Sequence, residues 1–302
     1  VHTHLALGFL RPLAVDVEAE TPTVSYYLPV TDPVDLEAYS NQNLGASAMF
    51  AMKADVSVLG LTGVGMRTTH TAPNLVRDMA RLGIERSVVL PFDLPVGAQN
   101  TDVVLDACER RPELIPFCSV HPLHRDHDGR LRRYKAAGAR GVKLHPNGQF
   151  IAPDHPKTIH LCGRCGAAGL PVLFHCGPVG IEPEVARERC QVHRYEKTIA
   201  ENPETTFILG HSGALQYEDA VRFAARYPNT YFELSCLGLT ALRHVIDVVP
   251  SDRLLYGTDW PFYHQSLTLA RVLIATEDAP DLRRAILSEN ATRLLEPATA
   301  SA

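Results

Sequence analysis

Hydrophobic and polar positions change rhythm near residue 72. From 8 to 71 the pattern is irregular: Pro12, Pro22, Pro29 and Pro33 interrupt it, and the one short apolar stretch, 46–52, carries Met49 and Met52. Long irregular stretches inside compact domains are usually lids or binding loops; an oligomer contact or peripheral subdomain is the equal alternative. Beyond residue 72, short apolar runs alternate with amphipathic ones. The runs 86–91, 114–120, 141–145, 171–175, 206–211, 230–235 and 253–259 read as strands, and 73–82, 101–110, 131–137, 158–168, 183–201, 218–227, 239–249, 266–276 and 281–287 as helices. The opening residues add a first strand, short or begun upstream, to make eight. Continuously apolar strands alternating with helices imply a parallel sheet covered on both faces. Eight such units close into an α/β fold of the (β/α)8 TIM-barrel type, one domain over 1–302 with 8–71 inserted after the first strand. An open doubly wound sheet is the alternative, but no glycine-rich dinucleotide fingerprint follows an early strand.

Composition narrows the function classes. The chain has 302 residues, 45% of them hydrophobic and 21% charged, with a net charge of -5. That balance offers no basic patch for nucleic acid and no Lys/Arg run suited to a membrane surface, so a small-molecule substrate is expected. The apolar stretch 44–66 is interrupted by Lys53 and Asp55 and makes a poor membrane span. Seven cysteines, an odd number in a chain too large to need disulfide staples, fit free thiols in a reducing cytoplasm. Cys162 and Cys165 have CxxC spacing but fall inside a predicted helix with no second pair, and read as a helix face.

The chemistry gathers at strand ends. His2 and His4 are separated by one residue, so on a strand they point the same way and can share one ion. Lys143, His145, His175, His211 and Asp259 each sit at or near the last residue of a predicted strand. In a parallel barrel those ends form one mouth, where active sites lie. Taken singly, each has a plain structural reading; seven at one end of separate apolar strands do not read as independent accidents. Imidazoles and a carboxylate suit Zn²⁺ and similar first-row ions such as Mn²⁺, and such an ion makes hydroxide available near neutral pH. His121 ends another strand, and Trp260, the single tryptophan, follows Asp259 as a candidate wall of the substrate site. Cys176 follows His175 on the opposite face of its strand and is expected to pack against helices.

His2-Thr3-His4, Lys143-Leu144-His145-Pro146, Leu173-Phe174-His175-Cys176-Gly177, Gly210-His211-Ser212-Gly213, Tyr256-Gly257-Thr258-Asp259-Trp260-Pro261 and Asn290-Ala291-Thr292-Arg293-Leu294-Leu295 together resemble the amidohydrolase superfamily. The closest resemblance is to its amidohydrolase-related branch, which includes aminocarboxymuconate semialdehyde decarboxylase. It is strongest from about 72 to 295, and residues 8–71 resemble nothing identified. It implies that His2, His4, His175 and Asp259 hold a catalytic divalent metal, and that His211 either polarises the substrate or binds a second ion. Lys143 stands where two-metal members carry a carboxylated bridging lysine; an ion pair or a substrate-binding ammonium is the alternative. His145 is a further candidate for binding substrate.

The implied reaction is hydrolysis of an amide, lactone or related carbonyl compound. Metal-activated water attacks, Asp259 takes the proton and returns it to the leaving group, and His211 with the ion stabilises the oxyanion. The competing reaction is non-oxidative decarboxylation of a small aromatic or unsaturated acid. It needs a cation for the departing carboxylate, for which Arg67, Arg187 and Arg194 are candidates. The sequence His211-Ser212-Gly213-Ala214 and the Lys-Leu-His-Pro strand end both depart from the decarboxylase pattern and favour hydrolysis. A barrel that only binds is a third reading. Such enzymes are commonly homodimers or larger homo-oligomers.

Overall fold

The structure, a computed structural model, describes residues 1–8, 14–57, 64–94, 97 and 99–295. Among the described residues seven parallel strands are formed: β1 (Ser87–Val89), β2 (Leu114–Pro116), β3 (Val142–Leu144), β4 (Val172–His175), β5 (Phe207–Gly210), β6 (Thr230–Glu233) and β7 (Leu254–Leu255). β1 pairs with β2, and β3 to β7 pair in sequence order. Two single bridges join these pieces. Cys118 pairs with Val142, and Thr3 pairs with Val89 on one side and Trp260 on the other. The opening segment is thus the eighth staff of a closed parallel barrel, reduced to one bridging residue.

Helices α1 (Ala46–Ser57), α2 (Ala72–Leu82), α3 (Asn100–Glu109), α4 (His127–Ala136), α5 (Pro156–Ala167), α6 (Glu184–Arg189), α7 (His193–Glu201), α8 (Tyr217–Arg226), α9 (Leu239–Val248), α10 (Ser266–Ala275), α11 (Pro280–Arg284) and α12 (Asn290–Leu295) complete the set. α2 to α10 alternate with the strands; their apolar stripes, such as Leu75 and Met79 on α2 and Ala220, Val221 and Phe223 on α8, are buried.

Several elements differ from the sequence expectation. The predicted helix 183–201 is two helices, because Val192 donates its backbone N–H to the Gln216 side chain at 3.0 Å instead of continuing a helical ladder. The apolar stretch 46–52 is part of α1. The helix expected at 281–287 runs on through a π turn (Ala285–Glu289) into α12, where Asn290 donates to the carbonyls of Ser251 and Leu254 and Leu295 is buried. Cys162 and Cys165 lie buried in α5 as expected, burial pushes both thiols up, and all seven cysteines are free. Among the described residues no helix is long and apolar enough to cross a membrane.

Strand alternation sorts the core into two layers. Val172, Phe174, Phe207, Leu209 and Phe232 face the helices, whereas Val88, Leu173, Ile208 and Leu255 face the barrel interior, where Leu295 of α12 joins their cluster. The inward series continues upward: Leu173 leads to His175, and Leu255 leads through Gly257 to Asp259. Cys176 packs outward with the helix-facing set, as its position predicted.

The segment after the opening strand runs along the rim formed by the C-terminal strand ends. Leu28 N–H bonds to Phe262 O at 3.1 Å, Ser40 N–H to Cys236 O at 2.9 Å, and Asn41 Nδ2 to Val179 O at 3.0 Å, past β7, β6 and β4 in turn. Irregular backbone leaves carbonyls without ladder partners. Arg271 of α10, fully buried, satisfies those of Asp35, Leu36 and Ala38 and also bonds Ser40 Oγ.

Gly257 marks a tight point of the interior. A Cβ there would stand 2.0 Å from Glu233 Oε1 and 2.9 Å from His2 Cβ. Glu233 is pinned by hydrogen bonds and cannot swing aside at low cost. Gly257→Ala is therefore expected to destabilise the fold by about 1–3 kcal/mol, measured by urea denaturation. A midpoint equal to wild type would show that this interior is not packed as described.

Candidate metal centre and active site

The closure at Thr3 brings the two ends of the sequence together. His4 N–H bonds to Trp260 O at 2.7 Å and Asp259 N–H to His2 O at 2.8 Å. His2, His4 and Asp259 therefore share one rim, with His2 Nε2 3.7 Å and His4 Nε2 3.5 Å from Asp259 Oδ1. His211, the residue after β5, stacks on His2 with ring centroids 4.7 Å apart. The donor atoms of His2, His211 and Asp259 all lie within 4.8 Å of one another, and all three residues are buried.

Lys143, His175 and His145 adjoin this group, whereas His121 and Trp260 make their contacts elsewhere. Lys143, inward on β3 and fully buried, has Nζ 3.2 Å from His2 Nε2. His175 meets His211 edge-on at 5.1 Å and stacks against His145 at 4.3 Å. His145 accepts from Gly148 N–H through Nδ1. His121 bonds through Nε2 to Gln149 O and accepts from Leu123 N–H through Nδ1, so both ring nitrogens are used within the rim. Trp260 is fully buried beside α2, its indole N–H donating to Asp78 Oδ2 at 3.0 Å. The arginines considered as carboxylate binders are engaged or exposed. Arg67 contacts Asp55 and Leu7 O, Arg194 bridges Asp154 and Glu188, and Arg187 is exposed on α6.

Hydrogen-bond acceptors set the imidazole tautomers. His4 Nδ1 lies 2.8 Å from Leu90 O, a carbonyl that only accepts, so Nδ1 carries a proton. His2 Nδ1 faces Glu233 Oε2 at 2.7 Å with the same consequence. Burial, followed by Lys143 for His2 and by His2 for His211, holds both rings well below the usual histidine range. Burial with Lys143 lowers His175 to about 3, and burial with His175 lowers His145. Burial also lowers Lys143 to about 8, opposed by Asp259 and Glu233, and raises Asp259, opposed chiefly by His4. Neutral imidazoles and one carboxylate, with donor atoms converging on one space, form a nitrogen and oxygen set that fits a first-row divalent ion.

Sequence reasoning missed Glu233, Ser235 and Cys236. The available signal was an ionisable residue at an inward position of an otherwise apolar strand, Thr230-Tyr231-Phe232-Glu233. A cavity of about 910 Å³ lies at the opposite end of the barrel, lined by residues such as Ile84, Val88, Leu114 and Leu295, and none of the converging polar residues lines it.

Comparison with known proteins bears on the fold and the family. A curated relative, Protein fluG of Emericella nidulans, is 34% identical over 83 residues, which is 25% of this chain and 10% of that protein; the match spans about a tenth of the relative's length. A TIM-barrel protein from Bordetella bronchiseptica superposes with a TM-score of 0.64 at 21% identity, over 74% of this chain and 82% of that one. A 2,6-dihydroxybenzoate decarboxylase from Rhizobium gives 0.56 at 21% identity, over 73% and 87%. A probable 2-pyrone-4,6-dicarboxylic acid hydrolase from Acinetobacter baumannii gives 0.58 at 15% identity, over 75% and 89%. At such identities these likenesses speak for the shared barrel. The match that reaches further is to the family described as Amidohydrolase, over residues 65–296. It covers more than half of the chain and includes every candidate site residue except His2 and His4, so the chain belongs to the amidohydrolase 2 family.

Proposed function

We propose that this chain is a metal-dependent hydrolase of a small amide, lactone or related carbonyl substrate. The observation that carries the reading is the buried convergence of His2, His211 and Asp259 at the C-terminal end of a parallel barrel, with His4 and Lys143 directed at the same space. The ligand set is drawn from His2, His4, His175, His211 and Asp259. A divalent ion held there, Zn²⁺ by the donor chemistry, would polarise a carbonyl and lower the pKa of water toward neutrality.

The chain's own groups do the rest. Asp259, its proton affinity raised by burial, accepts the proton of the attacking water and returns it to the leaving group. His2 and His211, kept neutral by burial and bonded through Nδ1, hold their Nε2 lone pairs toward the site. Lys143 has two possible forms here: as a carbamate it would bridge two ions, and as an ammonium it would hold a substrate oxygen. Residues 28–41 lie along the rim and would form part of the mouth's wall.

Decarboxylation is the second reading, favoured by one feature, the buried amine of Lys143 as a partner for a substrate carboxylate. The pairing of Arg67 with Asp55 and of Arg194 with Asp154 and Glu188 leaves neither as a ready second partner.

Purified protein is expected to hold one or two divalent ions per chain by elemental analysis, and His2→Ala to lose them; protein that neither holds nor takes up Zn²⁺ or Mn²⁺ would end the metal reading. Loss of one of two ions in Lys143→Ala identifies the carbamate, and one ion in both proteins identifies the ammonium. Asp259→Asn should remain folded while turnover falls by about 10²–10⁴, and full activity would remove Asp259 from its role. Under H₂¹⁸O, product should carry ¹⁸O; release of CO₂ without ¹⁸O uptake would select decarboxylation instead.

A further inference from the structure

The residues that end β6 and lead out of it supply none of the proposed ligands, yet three of them, Glu233, Ser235 and Cys236, touch all three members of the converging group. Glu233 Oε2 accepts from His2 Nδ1 at 2.7 Å and from His211 N–H at 3.0 Å. Ser235 Oγ stands 2.8 Å from that same oxygen and 2.8 Å from His211 Nδ1. Cys236 Sγ lies 3.6 Å from Asp259 Oδ2. Glu233, Ser235 and Cys236 are at most 1% exposed.

Counting protons gives this arrangement a direction. Glu233 as a carboxylate has only acceptors, and Oε1 is occupied by Ser235 N–H at 2.7 Å. The single hydroxyl proton of Ser235 goes to Oε2, so Ser235 Oγ must accept from His211 Nδ1–H. The relay therefore runs His211 Nδ1–H to Ser235 O–H to Glu233, while His2 Nδ1–H donates to Glu233 directly. One carboxylate sets the tautomer of two imidazoles, and both Nε2 lone pairs face the converging space. Cys236 engages the outer oxygen of Asp259, leaving Oδ1 toward His2 and His4.

The backbone is shaped to make these contacts. Cys236 has φ 69°, and His211, Ser212 and Ala214 have φ 56°, 48° and 53°, all in the left-handed region that costs energy for residues with a Cβ. The turn at 211 aims His211 N–H at Glu233, and Ser212 Oγ donates to Glu233 O at 3.0 Å. Among the described residues no Lys or Arg forms an ion pair with Glu233; its partner in the ion-pair range is His2. Burying a carboxylate against neutral donors disfavours folding relative to an apolar side chain, which points to a task for it beyond packing.

We infer that Glu233 and Ser235 are positioning residues, which lock His2 and His211 as Nδ1–H tautomers and so preorganise the metal centre, with Cys236 steadying Asp259. The inference rests on the metal reading above. Outer hydrogen bonds of this kind are worth about 10–100-fold in metal affinity.

The test uses the full chain and Zn²⁺ itself. Dissociation constants are measured by chelator competition for wild type, His2→Ala, Glu233→Gln, Ser235→Ala and, as a packing control, Leu173→Ala. Histidine ¹⁵N shifts of the metal-free protein report the tautomers. Glu233→Gln and Ser235→Ala should bind Zn²⁺ about 10–100-fold more weakly, and Ser235→Ala should change the His211 tautomer signal while leaving that of His2. Leu173→Ala should lose stability and keep its affinity, which a merely structural role for Glu233 would not distinguish from the others. Should Glu233→Gln fail to fold, Ser235→Ala, which deletes one hydroxyl, carries the test. Wild-type affinity in Ser235→Ala, with His2→Ala unable to bind, overturns the positioning role and leaves the metal reading standing. If wild type binds no Zn²⁺, the metal reading falls, and the tautomers decide the relay: Nδ1–H on both rings upholds it, and Nε2–H on either one overturns it.

Discussion

The pairing of Thr3 with two neighbours at once is the constraint on which the rest depends. Its backbone bonds to β1 on one side, through Val88 O and Leu90 N–H, and its flanking residues bond to the 258–260 segment on the other. That closes the sheet. It also sets the register, which brings Asp259 beside His2 and His4 even though they lie at opposite ends of the chain. A slip of one residue would turn His2 and His4 out toward the helices and bring Thr3 inside.

Given closure, alternation does the sorting. One set of inward positions is apolar low in the barrel, where Leu173, Ile208 and Leu255 meet, and polar above, where Lys143, His2 and Glu233 meet. Glycine at 257 leaves the volume that Glu233 and His2 occupy. A parallel barrel plugged entirely with aliphatic side chains would be cheaper to fold, since buried ionisable groups are desolvated. The polar upper layer is tolerable because its groups are mutually hydrogen-bonded and the apolar layer beneath holds them rigidly. Rigidity is what a metal centre requires, since ligands must already point at the ion's position before it binds.

The rim segment follows another rule. It has little regular secondary structure to satisfy its backbone, so a buried arginine does so from α10, and its amide and carbonyl groups reach across the ends of β4, β6 and β7. The sequence of this segment is thereby free of the barrel's repeating pattern. The groups that converge at the strand ends and the segment that crosses the rim are therefore encoded in different parts of the chain.

How much of this was legible beforehand follows from which signals are local. The strand and helix rhythm, the (β/α)8 closure, the inward direction of His2 and His4, and the placing of Lys143, His145, His175, His211 and Asp259 near strand ends were readable, because side-chain period and strand length are properties of short windows. The break at 190–192 was not, because the Gln216 side chain that causes it comes from a distant position. The burial of Trp260 against Asp78, the pairing of Arg67 with Asp55 and the use of both His121 nitrogens were not readable either, since each depends on a partner many residues away. Glu233 stands between these cases. Its charge inside an apolar strand was visible, but its purpose depends on His2 arriving from the other end of the chain. What the sequence by itself determined is which side chains face the barrel interior; only the tertiary structure decided which of them touch, because hydrogen bonds among groups so far apart in the chain exist only once the sheet has closed.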